Sequence, residues 1–340
     1  MSGSAPIPIM QVGLGPIGLE LARFIGQRGG LKLVAAVDVD PALSSRCLAE
    51  IAEADVDPSL RIEADLAAAL ARCGDGLRGG VALVATGSSL EAVAPTILEL
   101  VDSGLHVVSS CEQLSYPWKT LPQLACRIDG AARDRGVAVL GTGVNPGFLM
   151  DLLPVALSGV CRQVRHVYVE RCQDAAQRRL PFQKKVGAGL DRGAFEARVK
   201  QGTLRHVGLS ESMHMIAAAL GWGVDRVEDI VEPVLAQTPV HAGAERIPAG
   251  HARGVLQTGR AFIADREVIR LIFRAAVGEP RSYERIRFDA DPPVDLQIDG
   301  GIHGDVATTA MLINATGAIA HAAPGLRTMI DIAPPPSWGA

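Results

Sequence analysis

No two cysteines of this chain are spaced as CxxC, and the six present, Cys47, Cys73, Cys111, Cys126, Cys161 and Cys172, show no metal-ligand spacing. In a chain of 340 residues they read as reduced thiols of a cytosolic protein, not as a disulfide scaffold, and no metal site is expected. Long basic runs are missing too. With a net charge of −4, the sequence offers no electrostatic footprint for nucleic acid. The opening residues lack a charged segment followed by an apolar one, so no signal peptide is expected. The most apolar region, 306–320, contains Ala, Thr and Asn and reads as a buried core helix instead of a membrane span. Low-complexity linkers and internal repeats are also absent. What remains is 48% apolar and 21% charged residues, ample for real cores, in a length that suits two domains and a cytoplasmic location.

From residue 7 to about 145, short apolar runs alternate with amphipathic stretches. Strands are expected at 7–12, 31–37, 81–85, 105–109 and 137–140, with helices at 16–28, from Pro95 to Gly104, and at 122–135. That alternation implies a parallel sheet with right-handed crossovers, an α/β fold. Beyond residue 150 the texture changes. Helices are expected at 150–158, 191–200 and 210–220, the last capped by Ser210, and a strand at 164–171. Closely spaced strand-like runs between 225 and 300 suggest a mainly antiparallel sheet. Asp305 then caps the helix at 306–320, which is expected to pack back on the first domain.

The segment Gly13-Leu14-Gly15-Pro16-Ile17-Gly18 falls between the first strand and the first helix. There Gly13 permits a tight turn, Gly15 lets backbone approach a pyrophosphate, and Gly18 lets helix and strand pack closely. The helix N-terminus opened by Pro16 and Ile17 supplies unpaired N–H groups and a positive dipole end. Asp38 ends the second strand, 20 residues after Gly18, where a carboxylate suits ribose hydroxyls. Together these make NAD or NADP the expected cofactor. Asp38 favours NAD, while Ser44, Ser45 and Arg46 lie where a 2′-phosphate could be received. Thr86-Gly87-Ser88 and Asn145 follow later strands and reach the same sheet edge, Asn145 with an amide suited to a nicotinamide carboxamide. Each also reads as an ordinary turn. Glu112 begins where a strand ends beside the expected nicotinamide; it reads either as a working carboxylate or as a solvated loop residue.

SSCEQLSYPW (109–118), GVNPGFLMD (143–151), RRLPFQKKVGAG (178–189) and GDVATTAMLINA (304–315) together resemble the 2,4-diaminopentanoate dehydrogenase family, which includes the native amine dehydrogenases. The resemblance covers essentially the whole chain. It implies reversible NAD(P)-linked interconversion of an amine with a carbonyl compound and ammonia, by a homodimer of two-domain subunits. The expected division is 1–148 with 305–340 as the dinucleotide-binding Rossmann domain, and 149–304 as the substrate and dimerisation domain. The family's catalytic glutamate falls on Glu112, which would take a proton from ammonium and stabilise a cationic iminium. Phe148, Tyr168 and Thr309 lie in segments that the resemblance places near substrate, and each also reads as a packing or strand residue. Arg178, Arg179, Lys184 and Lys185 read as a solvated face or, at a domain seam, as a lid or dimer contact.

No charged set for a diamino acid is identifiable from sequence, which favours a plain ketone or aldehyde in an apolar pocket. 2,4-Diaminopentanoate itself, a carbonyl reductase and a redox-sensing regulator are the competing readings. Dihydrodipicolinate reductase is disfavoured because its paired-histidine and lysine segment is absent. Sugar dehydrogenases of the glucose–fructose oxidoreductase kind place a lysine after the glutamate, where this chain has Gln113.

Overall fold

Apolar runs in the N-terminal half form strands buried along nearly their whole length, as parallel strands covered on both faces must be. The computed structural model describes residues 5–178, 180–242 and 245–337. In chain order the first elements are β1 (Ile7–Val12), α1 (Pro16–Gly26), β2 (Leu31–Val37), α2 (Leu48–Ala52), β3 (Ile62–Glu63), α3 (Leu66–Cys73), β4 (Val81–Val84), α4 (Leu90–Asp102), β5 (His106–Ser109), α5 (Pro122–Arg135) and β6 (Ala138–Gly141). The elements α2, β3 and α3 were not anticipated; they are short, and α3 is held at its start by Asp65, whose side chain accepts the Ala67 N–H. Helix α4 begins at Leu90, not near Pro95. Pro95 sits inside it, where it has no N–H to donate to the preceding turn.

The middle of the chain supplies α6 (Leu152–Ser158), β7 (Gln163–Asp174), α7 (Leu180–Lys185), α8 (Arg192–Lys200), α9 (Leu209–Ala219), β8 (Arg226–Leu235), β9 (Val240–Ala242), β10 (Glu245–Ile247), β11 (Ala252–Ile263), β12 (Arg266–Ala276), β13 (Tyr283–Asp291) and β14 (Val294–Asp299). The N-cap of α9 is Gly208, at φ +107°, so Ser210 lies within the first turn instead of capping it. Six strands form one sheet in the order β14-β13-β7-β12-β11-β8, antiparallel except where β7 and β12 run parallel. Helix α9 packs on one face of it. There Gly259 lies so close to Met213 and Leu209 that a Cβ would stand 2.9–3.0 Å from their side chains.

The chain then forms α10 (Gly304–Ile319) and β15 (Gly325–Arg327). Helix α10 packs against α1, β5 and β6, and β15 extends the first sheet by pairing parallel with β6. Asp129 of α5 fixes this return: its Oδ1 accepts the Leu326 N–H at 2.9 Å and its Oδ2 accepts from Arg133. The completed sheet runs β15-β6-β5-β4-β1-β2-β3, all parallel, with its order reversing between β1 and β4. Two units result, Met1–Phe148 with Gly304–Ala340, and Leu149–His303. Among the described residues no helix is long and apolar enough to cross a membrane.

On the face of the second sheet away from α9, Glu267 accepts hydrogen bonds from Arg260 (2.5 Å), Arg270 (2.8 Å) and His166 (3.1 Å). Burial alone would raise its carboxyl, but those bonds from Arg270, Arg260 and His166 overcome it and hold the group at about 2. A depressed carboxyl contributes stability above its unfolded value and loses it as pH falls toward the folded one. Urea unfolding of wild type and Glu267→Gln is therefore expected to show its full gap above about pH 5 and a narrowing gap below it. A gap independent of pH between 3 and 7 would contradict this assignment.

Candidate functional site

Four neighbouring strands, β1, β4, β5 and β6, deliver their following loops to one carboxyl edge of the first sheet. The turn after β1 is built around glycine. Gly13 has φ +88°, and a Cβ there would lie 2.7 Å from the Ala85 carbonyl oxygen and 2.8 Å from Thr86 Cγ2. A Cβ at Gly18 would lie 1.9 Å from the Gly13 carbonyl oxygen. Buried Gln11 pins this carbonyl by donating to it at 2.9 Å. Gly15 differs: a Cβ there meets nothing within 4 Å, so the space over it is open. Helix α1 starts at Pro16 without a side-chain cap, leaving first-turn amides such as those of Ile17 and Gly18 without helical partners. Open space above a bare helix N-terminus fits a pyrophosphate.

Asp38 closes the turn from the side. Its Oδ2 accepts the Leu14 N–H at 2.6 Å and its Oδ1 accepts the Asp40 N–H at 2.8 Å. The carboxylate is thus fixed against the glycine turn at the end of β2.

After β4, Thr86 and Gly87 are exposed and Ser88 is half-buried. The Ser88 carbonyl accepts from the Cys111 thiol (3.3 Å) and the Gln113 N–H (3.4 Å), and the Gln113 side-chain oxygen accepts the Leu90 N–H at 2.8 Å. Cys111 is held in turn through Ser109, whose hydroxyl accepts the Cys111 N–H and donates to the Val84 carbonyl. Within this frame Glu112 opens a short 3₁₀ turn and is half-buried. Its backbone carbonyl accepts from the Ser115 hydroxyl at 2.7 Å. Among the described residues its carboxylate meets neither a cation nor a hydrogen-bond donor.

The loop after β6 carries Asn145, joined to Pro146 by a cis peptide bond. Val144 donates to Thr308 of α10 at 3.3 Å, and Gly147, at φ +124°, would put a Cβ 2.4 Å from the Gly143 nitrogen. Both polar atoms of the Asn145 amide are buried without a partner. A buried amide offering one free donor group and one free acceptor suits a ligand carboxamide.

The expected pocket residues fall in different places. Thr309 is buried in α10 and its hydroxyl donates back to the Val306 carbonyl at 2.8 Å. Phe148 is half-buried at the end of the first unit's N-terminal segment. Tyr168 lies in the second unit, on the sheet face away from α9; it donates to Glu170 at 2.7 Å and Arg287 covers its ring. Of the basic loop, Arg178 donates to Gln173 and stacks on Phe182, Lys184 and Lys185 are exposed, and Arg179 lies outside the described residues.

Sequence reasoning missed the buried Arg171, Gln173 and Glu284 of the second unit. Arg171 pairs with Glu284 at 3.1 Å, their side chains 2% and 4% exposed, and donates to the Ile302 carbonyl, as does Gln173. Burial pushes the Glu284 carboxyl up to about 7 despite the Arg171 charge and the Ile302 N–H. His206 stacks on Phe273, its Nε2 buried and unpartnered; burial, then the Lys185 and Arg171 charges, push it down to about 3, so it stays neutral. The signal was available: in β7, Arg171 and Gln173 continue the alternation of buried Val167 and Val169.

Residues 148–339 match the model of the 2,4-diaminopentanoate dehydrogenase C-terminal domain. The chain is 27% identical over 336 residues to a 2,4-diaminopentanoate dehydrogenase of Acetoanaerobium sticklandii, covering 97% of this chain and 94% of that one. It is 23% identical over 356 residues to an amine dehydrogenase of Streptomyces virginiae, covering 96% of each. Its fold is similar to the solved amine dehydrogenase from Mycobacterium smegmatis, with a TM-score of 0.84, 18% identity and 97% of each chain covered. A more distant fold likeness, TM-score 0.52 at 18% identity over 87% of this chain and 73% of that one, is to GenD2 from gentamicin A biosynthesis, solved in complex with NAD.

The two glycines separate folding from binding. Gly15→Ala is expected to leave the melting temperature unchanged and to raise the Kd for NADH roughly tenfold or more, about 1.4 kcal/mol. Gly18→Ala is expected to lose about 1–3 kcal/mol of stability through the backbone clash. Calorimetric melting with fluorescence titration of NADH checks both; an unchanged Kd in Gly15→Ala would remove the pyrophosphate assignment.

Proposed function

Because the chain belongs to the 2,4-diaminopentanoate dehydrogenase family, through a domain spanning more than half of it, we propose that it is an NAD(P)-dependent amine dehydrogenase. It interconverts an amine with a small carbonyl compound and ammonia. The observation that carries this reading is the unpaired, half-buried carboxylate of Glu112 at the sheet edge where the glycine turn and the Asn145 amide also lie.

The residues present fit a pyridine dinucleotide. Gly13, Gly15, Pro16, Ile17 and Gly18 would hold its pyrophosphate, Asp38 its adenosine ribose, and Thr86, Gly87, Ser88 and Asn145 its nicotinamide half. Bound there, the cofactor supplies or accepts the hydride. Glu112 does the work that the cofactor cannot. Ammonium has no lone pair, so its nitrogen attacks a carbonyl only after Glu112 has taken a proton from it. Glu112 then returns that proton to the departing hydroxyl, water leaves, and the restored carboxylate stabilises the cationic iminium. In the reverse direction Glu112 takes a proton from the substrate's ammonium group, freeing the nitrogen lone pair that forms the iminium as hydride leaves. Asp38 favours the free 2′-hydroxyl of NAD, and Ser44, Ser45 and Arg46 follow closely enough in the chain to leave NADP a candidate. The reading includes a homodimer in the cytoplasm.

A second reading narrows the substrate. The 27% identity to a 2,4-diaminopentanoate dehydrogenase over 97% of the chain favours a diamino acid such as 2,4-diaminopentanoate over a plain ketone.

Purified protein is mixed with NADH or NADPH, excess ammonium and a panel pairing each ketone with its carboxylate-bearing analogue, and cofactor absorbance is followed. Ammonium-dependent oxidation is expected. Oxidation without ammonium would make the protein a carbonyl reductase, and tight cofactor binding without turnover would make it a sensor. Higher kcat/KM for the carboxylate-bearing partners selects the second reading. Glu112→Gln is expected to keep its Kd for NADH and to lose turnover by about 10²–10⁴-fold.

A further inference from the structure

Gln113 follows the proposed proton carrier directly, and its side chain points away from chemistry and into architecture. Helix α4 has no cap of its own: Ser89 occupies the N-cap position, and its side chain makes no capping bond. The Gln113 side-chain oxygen takes that role from outside, accepting the Leu90 N–H at 2.8 Å. Two further bonds join the same segments in the opposite sense, the Gln113 N–H and the Cys111 thiol donating to the Ser88 carbonyl. The turn that carries Glu112 is therefore tied at three points to the segment that follows Thr86 and Gly87. Further restraints on Glu112 come from its own turn, through Ser115 and the Leu114 N–H to the Cys111 carbonyl, and from Ser109, which holds Cys111 to the Val84 carbonyl.

Resting on the dehydrogenase reading above, we propose that Gln113 is the positioning residue for Glu112. It makes the Thr86–Ser88 loop and the Glu112 turn one rigid piece, so that a dinucleotide seated on the loop finds the carboxylate already aimed. The residue type follows from this duty. An amide oxygen can accept the helix amide, whereas a lysine ammonium at 113 can only donate and would face the positive end of α4. A chain that needs its proton carrier at 112 and a strut at 113 cannot keep a lysine there.

Gln113→Met keeps the side-chain length and removes the acceptor; Gln113→Glu restores an acceptor. Ammonium-dependent turnover, NADH titration and hydrogen exchange are measured on wild type and both variants. In Gln113→Met, kcat is expected to fall about 10- to 100-fold, as a misplaced catalytic group does, while the Kd for NADH changes about threefold at most. Peptides covering 85–90 and 111–115 should lose exchange protection together. Gln113→Glu should recover most of the lost kcat, with the acidic limb of its pH profile displaced upward by the neighbouring carboxylate. Unchanged kcat in Gln113→Met, or a loss that Gln113→Glu leaves unrepaired, overturns the inference. So does protection lost in one segment alone. If wild type shows no ammonium-dependent turnover the dehydrogenase reading fails by itself, and the exchange result still decides whether Gln113 joins the two segments.

Discussion

Parallel strands all end on the same side, and the first unit depends on that constraint. Every loop that leaves β1, β4, β5 and β6 is forced to the same edge, however far apart the residues lie in the chain. Gly13, Thr86, Glu112 and Asn145 are all delivered to that edge for this reason. The meeting is tight only because two positions lack side chains. With Gly13 pressed on Ala85 and Gly18 pressed on Gly13, the first helix sits low enough for its bare N-terminus to face the crevice between β1 and β4.

Polar groups in this edge divide into those already occupied and those left open. Gln11, Ser109 and Gln113 are spent on backbone and hold the frame, and Asp38 is fixed by backbone N–H groups while its carboxylate keeps lone pairs for a ribose. The Asn145 amide and the Glu112 carboxylate have no such duty. An enclosed donor and acceptor without partners cost stability, and the frame around them bears it, as sites prepared for a ligand do.

Much of this was legible beforehand because it rests on local rules. Strand-turn-helix around Gly13–Gly18, the helix at 122–135 and the return of the last long helix all follow from periodicity and glycine chemistry. Elements determined by tertiary partners were not legible. The start of α4 depends on Gln113, 23 residues away, so a proline rule misplaced it. The three-residue strand β15 owes its existence to β6 and Asp129, and nothing in Gly-Leu-Arg announces a strand. Arg171 and Glu284 went unnoticed because charges are presumed exposed, although the alternation of β7 put Arg171 on the buried face. Tyr168, one residue out of step with that face, was placed by family likeness, not by its own period.

The late return of the chain has a consequence for biosynthesis. β6 finds its outer neighbour only when Gly325–Arg327 leaves the ribosome, after the whole of Leu149–His303 has been made. Until then the nucleotide half has an open edge strand and lacks the helix that packs on α1. The nascent protein must therefore keep an unfinished sheet out of trouble while an entire second module emerges, a burden that falls on translation speed and chaperones, not on the finished enzyme.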